Sequence, residues 1–133
     1  MMYLLDTHTF IWTVLKTDIL SSNSREIIFS KNNEIFVSTV SFWEISLKVS
    51  IKKFSFEKIS INDLPAMARD MDFTIMDLQE NETSTFHELP LKENHKDPFD
   101  RMLIWQAITK NMTLISKDKL FDQYKKDGLK LFW

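Results

Sequence analysis

The chain has 133 residues, a length that fits one hydrophobic core. Hydrophobic residues make up 44% and charged residues 27%, which suits a folded domain, and a formal net charge of -2 excludes a uniformly basic nucleic-acid coat but not a local basic groove. The absence of cysteine excludes disulfides, thiolate zinc sites, iron–sulfur clusters and a thiol nucleophile, and the single glycine, Gly128, excludes glycine-rich phosphate loops.

In chain order, Tyr3-Leu4-Leu5 reads as a short buried strand ending at Asp6. The run Phe10, Ile11, Trp12, Val14 and Leu15 follows on a short helix, more apolar than one sheet face needs, so a partner is expected to cover part of it. A second helix is expected from about Asn23 to Lys31, with Asn23 and Glu26 spaced as a capping box. Ile35 to Ser38 is β-branched and aromatic, a second strand. Val40, Trp43, Leu47 and Ile51 recur at helical spacing and read as the inward stripe of the next helix. Asn62 or Asp63 suits the cap of a helix with Pro65 in its first turn. Phe73 to Met76 is a third strand, and a polar helix or loop runs from Gln79 to about Glu88. The stretch from His95 to Asn111 is a helix with Asp97 at the cap and Pro98 at its first position. Thr113 to Ser116 is a fourth strand, Lys117 to Lys125 a short helix closed by Gly128, and Leu129 to Trp133 a last strand. The loop from Leu89 to Lys96 is expected to be the mobile segment.

Strands alternating with helices imply an α/β fold with a mostly parallel sheet of about five strands, covered on both faces. No run reaches the ~20 apolar residues of a membrane span and no basic leader precedes the first strand, so a cytoplasmic protein without a membrane partner is expected.

In open parallel sheets, sites form at the carboxyl ends of the strands. Asp6 leaves the first strand there, Asp77 the third, and Ser116 and Asp118 the fourth. Glu44 and Asp100 sit on the helices after the second and before the fourth. Each has an ordinary reading too: Asp6, Asp97 and Asp118 suit helix caps, and Glu44 suits an i,i+4 pair with Lys48. Together they repel one another unless a cation lies among them, and oxygen ligands without His or Cys favour Mg²⁺ or Mn²⁺.

Four stretches carry a resemblance: Leu4-Leu5-Asp6-Thr7-His8; Ser41-Phe42-Trp43-Glu44-Ile45 with Lys48; His95-Lys96-Asp97-Pro98-Phe99-Asp100-Arg101 with Gln106-Ala107; and Leu114-Ile115-Ser116-Lys117-Asp118. Residues 1–133 thereby resemble, as one domain, the PIN-domain family, and most closely its VapC-type toxins. The resemblance implies a three-layer α/β/α sandwich. It also implies an endoribonuclease dependent on Mg²⁺ or Mn²⁺ that hydrolyses a phosphodiester with metal-activated water. Carried over residue by residue, the catalytic and metal-binding acids are Asp6, Glu44, Asp100 and Asp118. Asp97 and the hydroxyls of Thr7 and Ser116 would support them. Lys48, Arg101 and Lys117 are the expected phosphate contacts, with Lys52, Lys53 and Lys119 nearby. His8, His87 and His95 are too scattered for a shared general base, His95 reading as structural or substrate-contacting, and the aromatic residues read mostly as core. The resemblance further implies a homodimer held by a small antitoxin.

Three rival readings remain at this level. Asp77 is placed as the phosphoacceptor of a receiver domain would be, but the acidic pair wanted after the first strand is missing. A haloacid-dehalogenase phosphatase would need an acid where His8 stands. A non-catalytic PIN-like interaction module fits the same core.

Overall fold

The computed structural model describes all of residues 1–133. Five strands, β1 (Met2–Leu5), β2 (Glu34–Ser38), β3 (Thr74–Met76), β4 (Thr113–Ile115) and β5 (Lys130–Phe132), form one sheet in the order β3-β2-β1-β4-β5. Every pairing is parallel; Leu4, for example, sits opposite both Phe36 and Leu114. The helices are α1 (Thr7–Leu15), α2 (Ser22–Phe29), α3 (Thr39–Ser50), α4 (Leu64–Asp70), α5 (Glu80–Thr85) and α6 (Pro98–Thr109). There are also 3₁₀ stretches, the longest being Lys119–Asp127 between β4 and β5.

Alternation along the strands builds a core on each face of the sheet. Leu4 and Leu114 join Leu103, Ile104, Ala107, Phe121 and Tyr124 on one face. Tyr3, Leu5, Ile35, Val37 and Ile115 join Phe10, Ile28, Ile45 and Ala68 on the other. Helix α3 gives Val40 to the first core and Ile45 to the second, so it lies across the carboxyl edge of the sheet where the two cores meet. Ser38, at the end of β2, caps α3 and donates to Gln106 Oε1 at 2.6 Å; Gln106 Nε2 in turn donates to the buried Glu82. This chain of buried polar bonds fixes α3, α5 and α6 relative to the sheet.

Four expectations change. Helix α2 is capped by Ser21, which accepts from Ser24 N at 3.0 Å, not by a box at Asn23; the earlier residue follows an extended backbone and so meets the first free N–H groups. Trp43, Leu47 and Ile51 do not form the inward stripe of α3 but are 60%, 40% and 53% exposed, because the helix turns Val40, Ser41, Glu44 and Ile45 inward. In the early run Phe10 is fully buried, and Ile11, Trp12 and Val14 lean on the second core, leaving only Leu15 exposed. The segment Leu89–Lys96 is pinned rather than loose: Leu89 and His95 are buried, Lys92 pairs with Asp127 at 2.8 Å, and Arg101 donates to the carbonyls of Leu89 and Pro90.

Candidate active site

The direction of chain winding reverses about β1, which has β2 on one side and β4 on the other. Helices leave the two central strands toward opposite faces there and open a crevice. A pocket of about 340 Å³ occupies it, lined by Asp6, His8, Trp12, Glu44, Lys48, Asp100, Lys117 and Asp118.

Local capping chemistry places the acids. Asp6 caps α1 and accepts from Thr9 N at 2.8 Å. Asp97 caps α6 and accepts from Asp100 N at 3.0 Å, which sets Asp100 in the first turn. Asp118 caps the 3₁₀ stretch and accepts from Leu120 N at 2.9 Å. Capping and site-building are therefore compatible: Asp6 and Asp118 each accept from a helix N–H and still line the crevice. The partial positive ends of these helices also ease the gathering of negative charge. Glu44 comes from the middle of α3, is 1% exposed, and is paired by Lys48. The i,i+4 pair is real, but it is a pocket feature rather than a solvated surface pair.

The oxygens of Glu44, Asp97 and Asp100 lie within 4.8 Å of one another, and the ligating atoms of His95, Asp100 and Asp118 do likewise. Asp100 thus belongs to both groups. Burial first, and then the charges of Asp97, Glu44, Asp6 and Asp118, push its carboxyl up to about 8. Burial also raises Asp6, against hydrogen bonds from Ser116 and Thr9 and the charge of His8. At Lys48 burial pulls downward, but the hydrogen bond and charge of Glu44, with Asp97 and Asp100, hold the ammonium above its usual range.

The residues fit a hard divalent cation. The donors are carboxylates, and Glu44 Oε1 is buried with no hydrogen-bond partner while the other oxygen takes Lys48. A buried carboxylate oxygen left unpaired is costly, and a cation in the crevice would satisfy it.

The supporting residues divide. Ser116 bonds to Asp6 and accepts from Asp118 N at 3.1 Å, tying two acids together. The Thr7 hydroxyl instead donates to Ser41 Oγ at 3.0 Å, joining α1 to α3. Lys48 and Lys117 line the pocket; Lys52, Lys53 and Lys119 do not. Arg101 is not available to a phosphate. It is 6% exposed, its Nη2 donates to two loop carbonyls, its Nε donates to Tyr124 Oη, and Phe86 lies under the guanidinium. Asp77 is exposed at the end of the edge strand β3 and lies outside the pocket, which removes the receiver reading.

Two residues of the site escaped sequence reasoning. His8 and Trp12 line the pocket one helical turn apart, and their i,i+4 spacing just after the Asp6 cap was the available signal. His95 is buried, with Nδ1 2.8 Å from Tyr124 Oη and Nε2 3.3 Å from Asp100 Oδ2. Burial lowers its pKa, against the charges of Asp118 and Asp97 and with that of Arg101. These bonds hold it beside Asp100 rather than leave it free in the crevice.

A doubly covered parallel sheet with an acid-walled crevice at its switch point is the class of protein that the fold and site define. The PIN domain family model matches residues 3–127, and the chain belongs to that family. Solved structures share the fold. The VapBC2 complex from Rickettsia felis, bound to a DNA fragment from its promoter, matches with a TM-score of 0.71 at 22% identity over 99% of this chain and 98% of that one. DNA-bound VapBC from Salmonella typhimurium matches with a TM-score of 0.65 at 14% identity over 99% and 97%. FitAcB from Neisseria gonorrhoeae matches with 0.58 at 14% over 98% and 96%. No curated protein matches the sequence.

Proposed function

We propose that residues 1–133 act as one PIN domain that is a metal-dependent endoribonuclease, the toxin of a toxin–antitoxin pair. The observation that carries this reading is the unpartnered, buried Glu44 Oε1, on a residue whose carboxylate groups with those of Asp97 and Asp100 within 4.8 Å. Asp6, Glu44, Asp100 and Asp118 would hold Mg²⁺ or Mn²⁺. Such an ion, when bound, supplies charge to a phosphate oxygen and acidifies water.

The remaining work falls to the chain. Asp97 and the N-terminus of α6 hold Asp100 in position, and His95 limits its rotation from the far side. Ser116 aligns Asp6 with Asp118. Lys48 offsets Glu44 before substrate arrives, and with Lys117 it offers cationic contacts for the phosphates flanking the scissile bond. The likeness to VapBC and FitAcB folds supports the toxin reading and an antitoxin partner, and we propose a homodimer beside them. The exposed stripe of Trp43, Leu47 and Ile51 offers such a contact an apolar face. No helix is long and apolar enough to cross a membrane, and the site of action we propose is the cytoplasm.

The test is cleavage of RNA by purified protein with Mg²⁺ or Mn²⁺ and with EDTA, beside Asp6→Asn and Asp100→Asn. Cleavage should require the metal and vanish in both variants. Full activity in chelator, or wild-type rates in Asp100→Asn, would overturn the reading. Expression without a partner should arrest growth, and Asp6→Asn should relieve the arrest.

A further inference from the structure

Two lysines line the acid pocket, but only one of them is bonded to an acid. Lys48 Nζ donates to Glu44 Oε2, one helical turn back along α3, and pairs with it. Lys117 takes part in none of the ion pairs, and its Nζ lies 5.9 Å from the Trp12 ring centroid instead. Lys48 also feels the charges of Asp97 and Asp100, whose oxygens lie within 4.8 Å of one another and of a Glu44 oxygen. Its ammonium therefore stands beside the carboxylates that would hold a divalent ion.

The contact is not built for permanence. Lys48 takes one oxygen of Glu44 and leaves the other, Oε1, buried with no partner. Its side chain is 21% exposed against 2% for that of Glu44, so the ammonium has a route to solvent that the carboxylate lacks. The flexible four-carbon stem allows that movement, and the Phe54 ring, 5.2 Å from Nζ, attracts the cation without bonding it to an acid. A divalent ion that took up Glu44 Oε1 would share this carboxylate with the ammonium, and two cations on one buried carboxylate repel each other. An ordinary solvated i,i+4 pair does not describe the contact, because Glu44 is sealed and its neighbours are further acids.

From this we infer that Lys48 is a built-in counter-cation of the metal-free site, displaced from Glu44 when a divalent ion binds, so that it sets how much metal the site requires. The inference rests on the metal-site reading above. Its test measures metal binding to the full chain without RNA, by calorimetric titration with Mn²⁺ and with Mg²⁺, beside melting curves with and without the ion. A unit charge ~5 Å from a divalent ion changes affinity more than about tenfold even at the dielectric of water. Lys48→Met should therefore bind Mn²⁺ at least about tenfold tighter than wild type, whereas Lys48→Arg, which keeps the charge, should stay within about threefold. The Tm of Lys48→Met should fall below wild type without metal and recover in saturating metal. A lysine that merely holds α3 in place would lower the Tm equally in both states and leave metal affinity no higher. If Lys48→Met fails to fold, wild type still decides: amine labelling read by mass spectrometry should rise at Lys48 on adding Mg²⁺, relative to Lys52 and Lys53. Unchanged labelling, or a Lys48→Met variant that binds metal no tighter, would overturn the inference even if the protein cleaves RNA. Tighter binding in Lys48→Met without any cleavage would preserve it and overturn the nuclease, and an absence of metal binding in both proteins would overturn both.

Discussion

Asp100 carries a heavy electrostatic load. An aspartate in an unfolded chain releases its proton near 3.9, whereas in the fold Asp100 holds it to about 8. Between those values the native state keeps a proton that the unfolded state has lost. The stabilisation is full below the unfolded value and is lost as pH rises through the window. Burial gives Asp6 a shift of the same sign. In metal-free protein the Tm should therefore fall from about pH 5 to about pH 8, and Asp100→Asn should flatten that fall. Added Mg²⁺ should flatten it too, because binding to the native state alone offsets the repulsion. A metal-free Tm that rises across the window, or an Asp100→Asn profile identical to wild type, would contradict this account of the crevice.

Helix endings show how an element copes with a chain that has one glycine. Four segments end with a residue in the left-handed region: Lys52 at φ 62°, Asp72 at 63°, Asn111 at 54° and Gly128 at 105°. Each is followed by the same bond, in which the next N–H reaches the carbonyl five residues back: Lys53 to Lys48, Phe73 to Ala68, Met112 to Ala107, and Leu129 to Tyr124. This is the Schellman arrangement, which satisfies carbonyls the helix leaves free. Only Gly128 adopts it without steric cost. Lys52→Gly should raise stability by ~0.5 kcal/mol, strain relief of about 1–2 less the entropy glycine adds to the unfolded chain. Asn111→Gly should gain less, since asparagine tolerates this conformation. Thermal melts decide, and a lowered Tm in Lys52→Gly would show that its side chain holds the end of α3 instead.

At the scale of the whole molecule, the sheet order puts β1 and β4 side by side, and Asp6 and Asp118 leave adjacent strands on account of it. Helix α3, lying over the same edge, cannot hide all its apolar residues. Its inner side faces a charged crevice and so carries Glu44 and Lys48, which leaves Trp43, Leu47 and Ile51 outside. Trp43 is held in place by Phe99, with ring centroids 4.9 Å apart, so this is an ordered apolar surface rather than a loose one. If a second copy covers it, light scattering at roughly tens of micromolar should report a dimer, and Leu47→Glu with Ile51→Glu should give a monomer of unchanged melting behaviour. A monodisperse wild-type monomer would count against the dimer.

The order and type of the elements, and the acids at their ends, were legible in the sequence because they rest on local chemistry. Alternation and β-branching write a strand, Asp97-Pro98 writes a helix start, and an acid just after a buried strand lies at the carboxyl edge of a parallel sheet. Asp6 and Asp118 were accessible by that route, while Glu44 and Asp100, on helices, were joined to them as one set only by the family resemblance, with Lys48 and Lys117 beside them. Tertiary structure alone decided which way each long side chain faces. Arg101 follows Asp100 directly, yet it turns inward because Leu89, Pro90 and Tyr124 offer it acceptors that lie 23 or fewer residues away along the chain. Trp43 and Trp12 are both apolar residues on amphipathic helices; one faces solvent and the other lines the crevice. Helical spacing records which residues share a face, but the free energy of burying that face depends on what distant segments bring against it.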